Sequence, residues 1–195
     1  MTKFEFFNDF DFLSDGEITL RISQKYQGDD ELLPFYYYDI CIDDTPIGKI
    51  SIRIGNNYHS YYNGHIGYEI DKEYRGNNYT YKACKLILQV AKAHNMCELI
   101  LACDESNIAS YKTIEKLGAE LIEIVKPPKD YFAYRENMEK QRIYKLQLLE
   151  KDSNKSGIPQ HVIESFARYF LPEIQEFFAT EEGQKEYKEW LQQKA

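Results

Sequence analysis

Between Gly64 and Val125 the apolar period of the chain switches back and forth, and this alternation limits the fold more than any other feature. GHIGYEI (Gly64–Ile70) repeats with period 2, which sets His65, Gly67 and Glu69 on one face of a strand and Ile66, Tyr68 and Ile70 on the other. From about Thr80 to His94 the apolar positions Ala83, Ile87, Val90 and Ala91 follow helical spacing, and Asn95 suits a left-handed C-cap. CELILAC (Cys97–Cys103) is nearly all apolar and reads as a strand buried on both faces, as in a parallel sheet. A second helix runs from about Ile108 to Leu117, with Asn107 as N-cap and Gly118 as stop. AELIEIV (Ala119–Val125) returns to period 2.

The flanks add antiparallel strands. GEITLRIS (Gly16–Ser23) alternates, and FYYYDICI, DDTP and IGKISIRI read as a hairpin around a four-residue turn. GNNYHSYYN is read as a loop, KPPKDYFAYRENMEK as a polar, aromatic-bearing loop, and QRIYKLQL (Gln141–Leu148) as the closing strand. The expected architecture is an α/β domain over 1–149. Its sheet is mixed and mostly antiparallel, with a central parallel strand pair and flanking helices. EKDSNKSG marks a linker over 150–157. Residues 158–195 read as a helical appendage: Val162, Phe166, Phe170, Ile174 and Phe177 recur every three or four positions, Pro172 divides the run, and Thr180 suits a further cap.

Composition narrows the function. A net charge of −8 lacks the basic footprint of a nucleic-acid binder. No apolar run reaches the ~20 residues that span a membrane, and MTKFEFFNDFDF lacks a signal-peptide pattern. Cys41, Cys84, Cys97 and Cys103 lie in apolar runs without CxxC spacing, the pattern of reduced core residues in a cytoplasmic protein and not of metal ligands. No metal site is expected.

EYRGNNYTYKAC (Glu73–Cys84) places a glycine-bearing turn between a strand and a helix start, at the carboxyl end of the strand. Open α/β sheets bind ligands there, and bare N–H groups at a helix start suit phosphate oxygens. A second segment, NIASYKTIEKLGA (Asn107–Ala119), follows the next strand. Together with GHIGYEI, in order and spacing, these segments resemble the GNAT acyl-CoA N-acyltransferase superfamily over residues 16–148. RIGNN and YYNGHIGYEI are similar to a bacterial branch of it. The resemblance implies that Arg75, Gly76, Asn77, Asn78, Tyr79 and Thr80 surround the pyrophosphate of acetyl-CoA. It implies that Tyr68, Glu69 and Ile70 pair with the pantetheine arm through backbone, that Asn107 stands near the thioester, and that Tyr111 and Lys112 lie along the cofactor side of the second helix.

The chain departs from the family's pattern. Asn78 and Thr80 stand at loop positions where glycine or alanine is usual, Ala119 replaces a Phe, and Ile114 occupies the place of a Tyr that protonates the leaving thiolate. A thiol pKa near 8.5 makes that loss tolerable. Deprotonating an alkyl ammonium is harder, costing roughly 4–5 kcal/mol at pH 7. His65 and Glu69 are the base candidates and Tyr111 a relay acid, each against a plain structural role. The cluster Tyr58, Tyr61 and Tyr62 reads as loop packing or as part of an acceptor pocket. Asp104 and Glu105 read as helix-entry residues, and His94 as a helix-end residue.

The resemblance implies acetyl transfer from acetyl-CoA to a primary amine, on a small molecule or a protein, by direct attack. The alternative is a non-catalytic acyl-CoA-binding or protein-interaction module on the same fold. Residues 158–195 are expected to dock on their own domain or on a second copy as a homodimer, with an external protein partner as the third alternative.

Overall fold

A computed structural model describes residues 3–148, 176–180 and 183–186. The chain forms two units, residues 1–150 and 151–195. In the first, alternation of large apolar and polar residues builds a five-stranded antiparallel sheet in the order β1-β2-β3-β4-β5. Its strands are β1 (Phe12–Ser14), β2 (Thr19–Tyr26), β3 (Phe35–Ile42), β4 (Thr45–Arg53) and β5 (Ile66–Ile70). One face is apolar: Tyr36, Tyr38, Ile40, Ile50 and Ile52 are fully buried. Helix α2 (Tyr79–Ala93) covers that face with Ala83, Ile87, Val90 and Ala91, all at 0% exposure. Each large aliphatic side chain removed from water in this way contributes about 1.5–3 kcal/mol.

A second sheet, also antiparallel, has the order β6-β8-β7. It consists of β6 (Glu98–Asp104), β7 (Glu120–Val125) and β8 (Gln141–Gln147). Helix α3 (Ile108–Lys116) joins β6 to β7, and Asn107 caps it by accepting from Ser110 N at 3.1 Å. Among the described residues no helix is long and apolar enough to cross a membrane.

Several expectations change. The central parallel pair does not form a ladder: β5 and β6 belong to different sheets. The reason is His65, which immediately precedes β5. Its backbone N–H donates to the Ile100 carbonyl at 2.7 Å, but the Ile100 N–H is taken by the His65 ring, at Nδ1, 2.8 Å away. An imidazole thus stands where the next backbone carbonyl would have to be, and beyond it the strands form no further pairs. β6 is also not buried equally on both faces. Leu99, Leu101 and Cys103 are buried, while Ile100 and Ala102 are half-buried beside a short helix α1 (Tyr58–Asn63). That helix occupies the expected loop GNNYHSYYN. It starts with a reciprocal box in which Asn57 accepts from Ser60 N at 2.7 Å and Ser60 Oγ accepts from Asn57 N at 3.0 Å. Ser at the third helical position replaces the usual Glu or Gln, so the pattern was not visible as a helix start.

Smaller differences share one cause, side chains that hold tight turns. Asp15 accepts from Glu17 N and Ile18 N at 2.9 Å each, so β2 begins at Thr19 and not at Gly16, and β1 pairs in front of it. The β3–β4 hairpin turns over Asp43 and Asp44 alone, with Asp43 in left-handed conformation at φ 52°. Cys41, Cys84 and Cys103 are buried as expected, but Cys97 is exposed. In the second unit, residues 176–179 and 183–186 are helical, and Thr180 Oγ accepts from Gly183 N at 3.1 Å. The expected linker and the rest of the appendage lie outside the described residues.

Candidate active site

The gap between β5 and β6 organises the site. β5 pairs with β4 along one edge and β6 with β8 along one edge, which leaves their other edges facing each other past His65. A cavity of about 470 Å³ runs from this gap to the start of α2. At its outer end the chain leaves β5, makes a 3-10 turn over Lys72–Tyr74 and reverses through two left-handed residues, Gly76 at φ +88° and Asn78 at φ 64°. Asn tolerates that region better than other residues with a side chain, so the loop keeps its shape without the second glycine.

Asn78 is the N-cap residue of α2, but its side chain does not cap the helix. Its Oδ1 accepts instead from Lys116 Nζ at 3.0 Å. The first N–H groups of α2 therefore have no side-chain acceptor, at the positive end of the helix dipole. Arg75 ties the turn to the strand by donating from Nε to the Ile70 carbonyl at 2.8 Å. An acidic chain thus presents a guanidinium, an ammonium and a helix start around one mouth, a setting for an anion.

At the inner end, Tyr68 from β5 and Ser110 from α3 bring their hydroxyls to 2.9 Å. Burial pushes the Tyr68 phenol pKa well up, so it stays protonated. Tyr68, Asn107 and Ser110 also border a second cavity of about 270 Å³. Its walls come from distant parts of the chain: Arg53 from β4, Tyr62 from α1, Cys103 and Asp104 from β6, and Gln141 from β8. The loop between β7 and β8 closes over α1. Tyr58 donates to Asp130 at 3.0 Å, and the Tyr62 ring lies 5.7 Å from that of Tyr131. Of the tyrosine cluster, Tyr62 thus lines a cavity, while Tyr58 and Tyr61 are engaged by Asp130 and Glu123.

Most residues expected at the cofactor come together. Tyr68, Glu69 and Ile70 line the first cavity from β5; Arg75, Gly76, Asn78, Tyr79 and Thr80 line it from the turn; Asn107 borders both cavities. Asn77 and Lys112 border neither. Asn77 donates back to the Tyr74 carbonyl, and the exposed Lys112 faces Glu115 at 3.5 Å. Ser110 was missed, although its place one turn before Ile114 was readable.

The catalytic expectations fare differently. His65 is fully buried; Nδ1 accepts from Ile100 N and Nε2 donates to the Gly55 carbonyl at 2.9 Å. Burial lowers its pKa, and no lone pair is left for a substrate proton. Its role is structural. Glu69 is exposed and borders the first cavity only. Tyr111 borders neither cavity, because the Arg142 guanidinium covers its ring at 4.5 Å. Ile114 is buried in the wall of the second cavity, where the resemblance expected a Tyr in other members.

No curated protein matches the chain. Among solved structures, it is similar to a GNAT-family acetyltransferase from Bacillus anthracis, at 18% identity and TM-score 0.46 over 58% of this chain and 67% of that one. The Microcin C7 self immunity acetyltransferase MccE, solved with acetyl-CoA and AMP, matches at 19% identity and TM-score 0.45 over 58% and 61%. An acetyltransferase from Salmonella typhimurium that modifies the N-terminal serine of ribosomal protein L7/L12 matches at 17% and 0.46 over 58% and 63%. The chain thus spans 61–67% of the length of these three proteins. The acetyltransferase (GNAT) domain family matches residues 4–120, more than half of the chain, and the chain belongs to that family.

Proposed function

We propose that this protein transfers an acetyl group from acetyl-CoA to a primary amine by direct attack. The observation that carries this reading is the join between the two cavities. The first pairs an uncapped helix start and basic side chains with an open strand edge, which suits a pyrophosphate followed by a pantetheine arm paired like an added strand. The second begins where that arm would end, at Tyr68, Asn107 and Ser110.

In the reaction the amine nitrogen attacks the thioester carbonyl carbon, a C–N bond forms, the C–S bond breaks and the thiolate leaves. Asp104 is the one carboxylate bordering the second cavity among the described residues, and it is placed to take the amine proton directly or through water. The Tyr68 and Ser110 hydroxyls are placed to return a proton to the thiolate, in place of the Tyr that Ile114 replaces. The free edge of β5 offers backbone N–H groups to the oxyanion. Holding the reactants in line supplies the rest.

Calorimetric titration with acetyl-CoA and a free-thiol assay with a panel of amines test the reading. Binding followed by amine-dependent thiol release and a mass increase of one acetyl group on the amine is the expected result. Binding without transfer to any amine would establish the non-catalytic module, and absence of binding at millimolar cofactor would sink both.

A further inference from the structure

We infer that the acceptor amine carries a carboxylate and that Arg53 receives it; this deepens the acetyl-transfer reading and rests on it. Arg53 ends β4, half-buried, with its guanidinium in the wall of the second cavity. Its side chain makes one hydrogen bond, from Nη1 to the Gly64 carbonyl at 3.3 Å. The ion pairs among the described residues are Arg21–Asp44, Lys25–Asp11, Lys82–Glu17, Lys112–Glu115 and Lys145–Glu98. Arg53 is in none of them. The ionisable groups that interact with it are the phenols of Tyr131 and Tyr37 and the ring of His65, and burial raises the pKa of Tyr131. Burial also weakens the hold of the guanidinium on its own charge. Asp104 borders the same cavity but forms no ion pair with Arg53; a cation kept out of water with no ion pair among the described residues is costly, and an anion arriving in the cavity removes that cost.

Geometry narrows the anion. A side chain at Gly67 would place its first carbon 3.6 Å from Nη1 and 3.7 Å from Nη2. Both ends of the planar fork therefore lie side by side over Gly67, with the Ser51 hydroxyl beside them, 3.3 Å from the same point. Such a fork matches the two oxygens of a carboxylate. Gly67 and Tyr68 lie on opposite faces of β5, yet both line the second cavity with Arg53 and Ser110, so a carboxylate at Arg53 and an amine near the Tyr68 hydroxyl would share one small chamber, as the two ends of an amino acid can. The volume of about 270 Å³ lies just below the ~300–1,000 Å³ of small-molecule sites and suits a small acceptor.

The experiment uses the full chain with acetyl-CoA and pairs of acceptors that differ only at the acid: free amino acids and their carboxamides. The expected preference for the free acid is about tenfold or more in kcat/KM, the value of a hydrogen-bonded charge pair. Arg53→Gln should remove most of that preference by slowing the acids alone, and Arg53→Lys should restore part of it. Equal use of acid and carboxamide by the wild-type protein overturns the inference, as does a preference that survives Arg53→Gln. Should Arg53→Gln not fold, the acid-to-carboxamide ratio of the wild-type protein decides alone. A protein that binds acetyl-CoA and acetylates only amines or peptides without a nearby carboxylate, or none at all, defeats this inference and leaves cofactor binding standing. A protein that binds no acetyl-CoA defeats the acetyl-transfer reading itself.

Discussion

The two cavities are neighbours built by different means. The first is made largely of main chain: a turn with two left-handed residues, an uncapped helix start and an open strand edge, all within Tyr68–Tyr81 apart from Asn107 and α3. The second gathers residues from seven elements, β4, α1, β5, α2, β6, α3 and β8. A site built from backbone depends on conformation and tolerates side-chain truncation, whereas a site built from side chains depends on the identity of each one.

The junction between them gives the sharpest break. His65→Ala leaves the Ile100 N–H and the Gly55 carbonyl without partners and opens a hole in the core. It should cost about 2–4 kcal/mol by denaturant titration and blur the separation between the cavities. A variant of wild-type stability would show that the histidine does not hold the sheets together. Next in size, Tyr68→Phe combined with Ser110→Ala should lower kcat about a hundredfold and change the dissociation constant for CoA by less than about threefold. Loss of binding in place of turnover would assign these hydroxyls to the cofactor.

Gly76→Val acts on conformation alone. There is open space around the position, but φ +88° penalises a β-branched residue by about 1–3 kcal/mol. CoA affinity should fall about tenfold with the amine KM unchanged, and an unchanged affinity would show that the turn adapts. The smallest effects come from Thr80→Ala and Lys112→Ala, each within about 0.5 kcal/mol in CoA binding by calorimetry. A large loss in either would mean that side chains and not backbone hold the cofactor.

Acid sharpens the same contrast. Burial lowers the pKa of His65, and likewise that of His94. The unfolded chain therefore takes up protons more readily than the folded one as pH falls below about 6.5. The stability from neutral His65 is fully present above that pH and is lost as pH drops toward the lowered folded value. Melting temperature measured from pH 7.5 to 5 should fall, and His65→Gln should flatten the slope relative to wild type. An identical slope in that variant would place the acid sensitivity elsewhere.

The sequence alone determined what short-range chemistry controls. The helix from Tyr79, the Asn107 cap, the stop after α3 and the turn at Arg75–Asn78 all follow from residues a few positions apart, because dihedral preferences and capping act over one or two turns. The turn end of the first cavity was legible for that reason. Only the tertiary structure decided the rest. A period-2 strand shows which faces alternate, but nothing in GHIGYEI shows that the ring of His65 takes a backbone N–H of β6 and ends the pairing there. Nor does IGKISIRI show that Arg53 enters no ion pair among the described residues, since that depends on what Tyr62, Gly67 and Gln141 bring to the same cavity from other elements. Burial and charge compensation are properties of three-dimensional neighbourhoods, and the second cavity was therefore set by packing between elements distant in the chain.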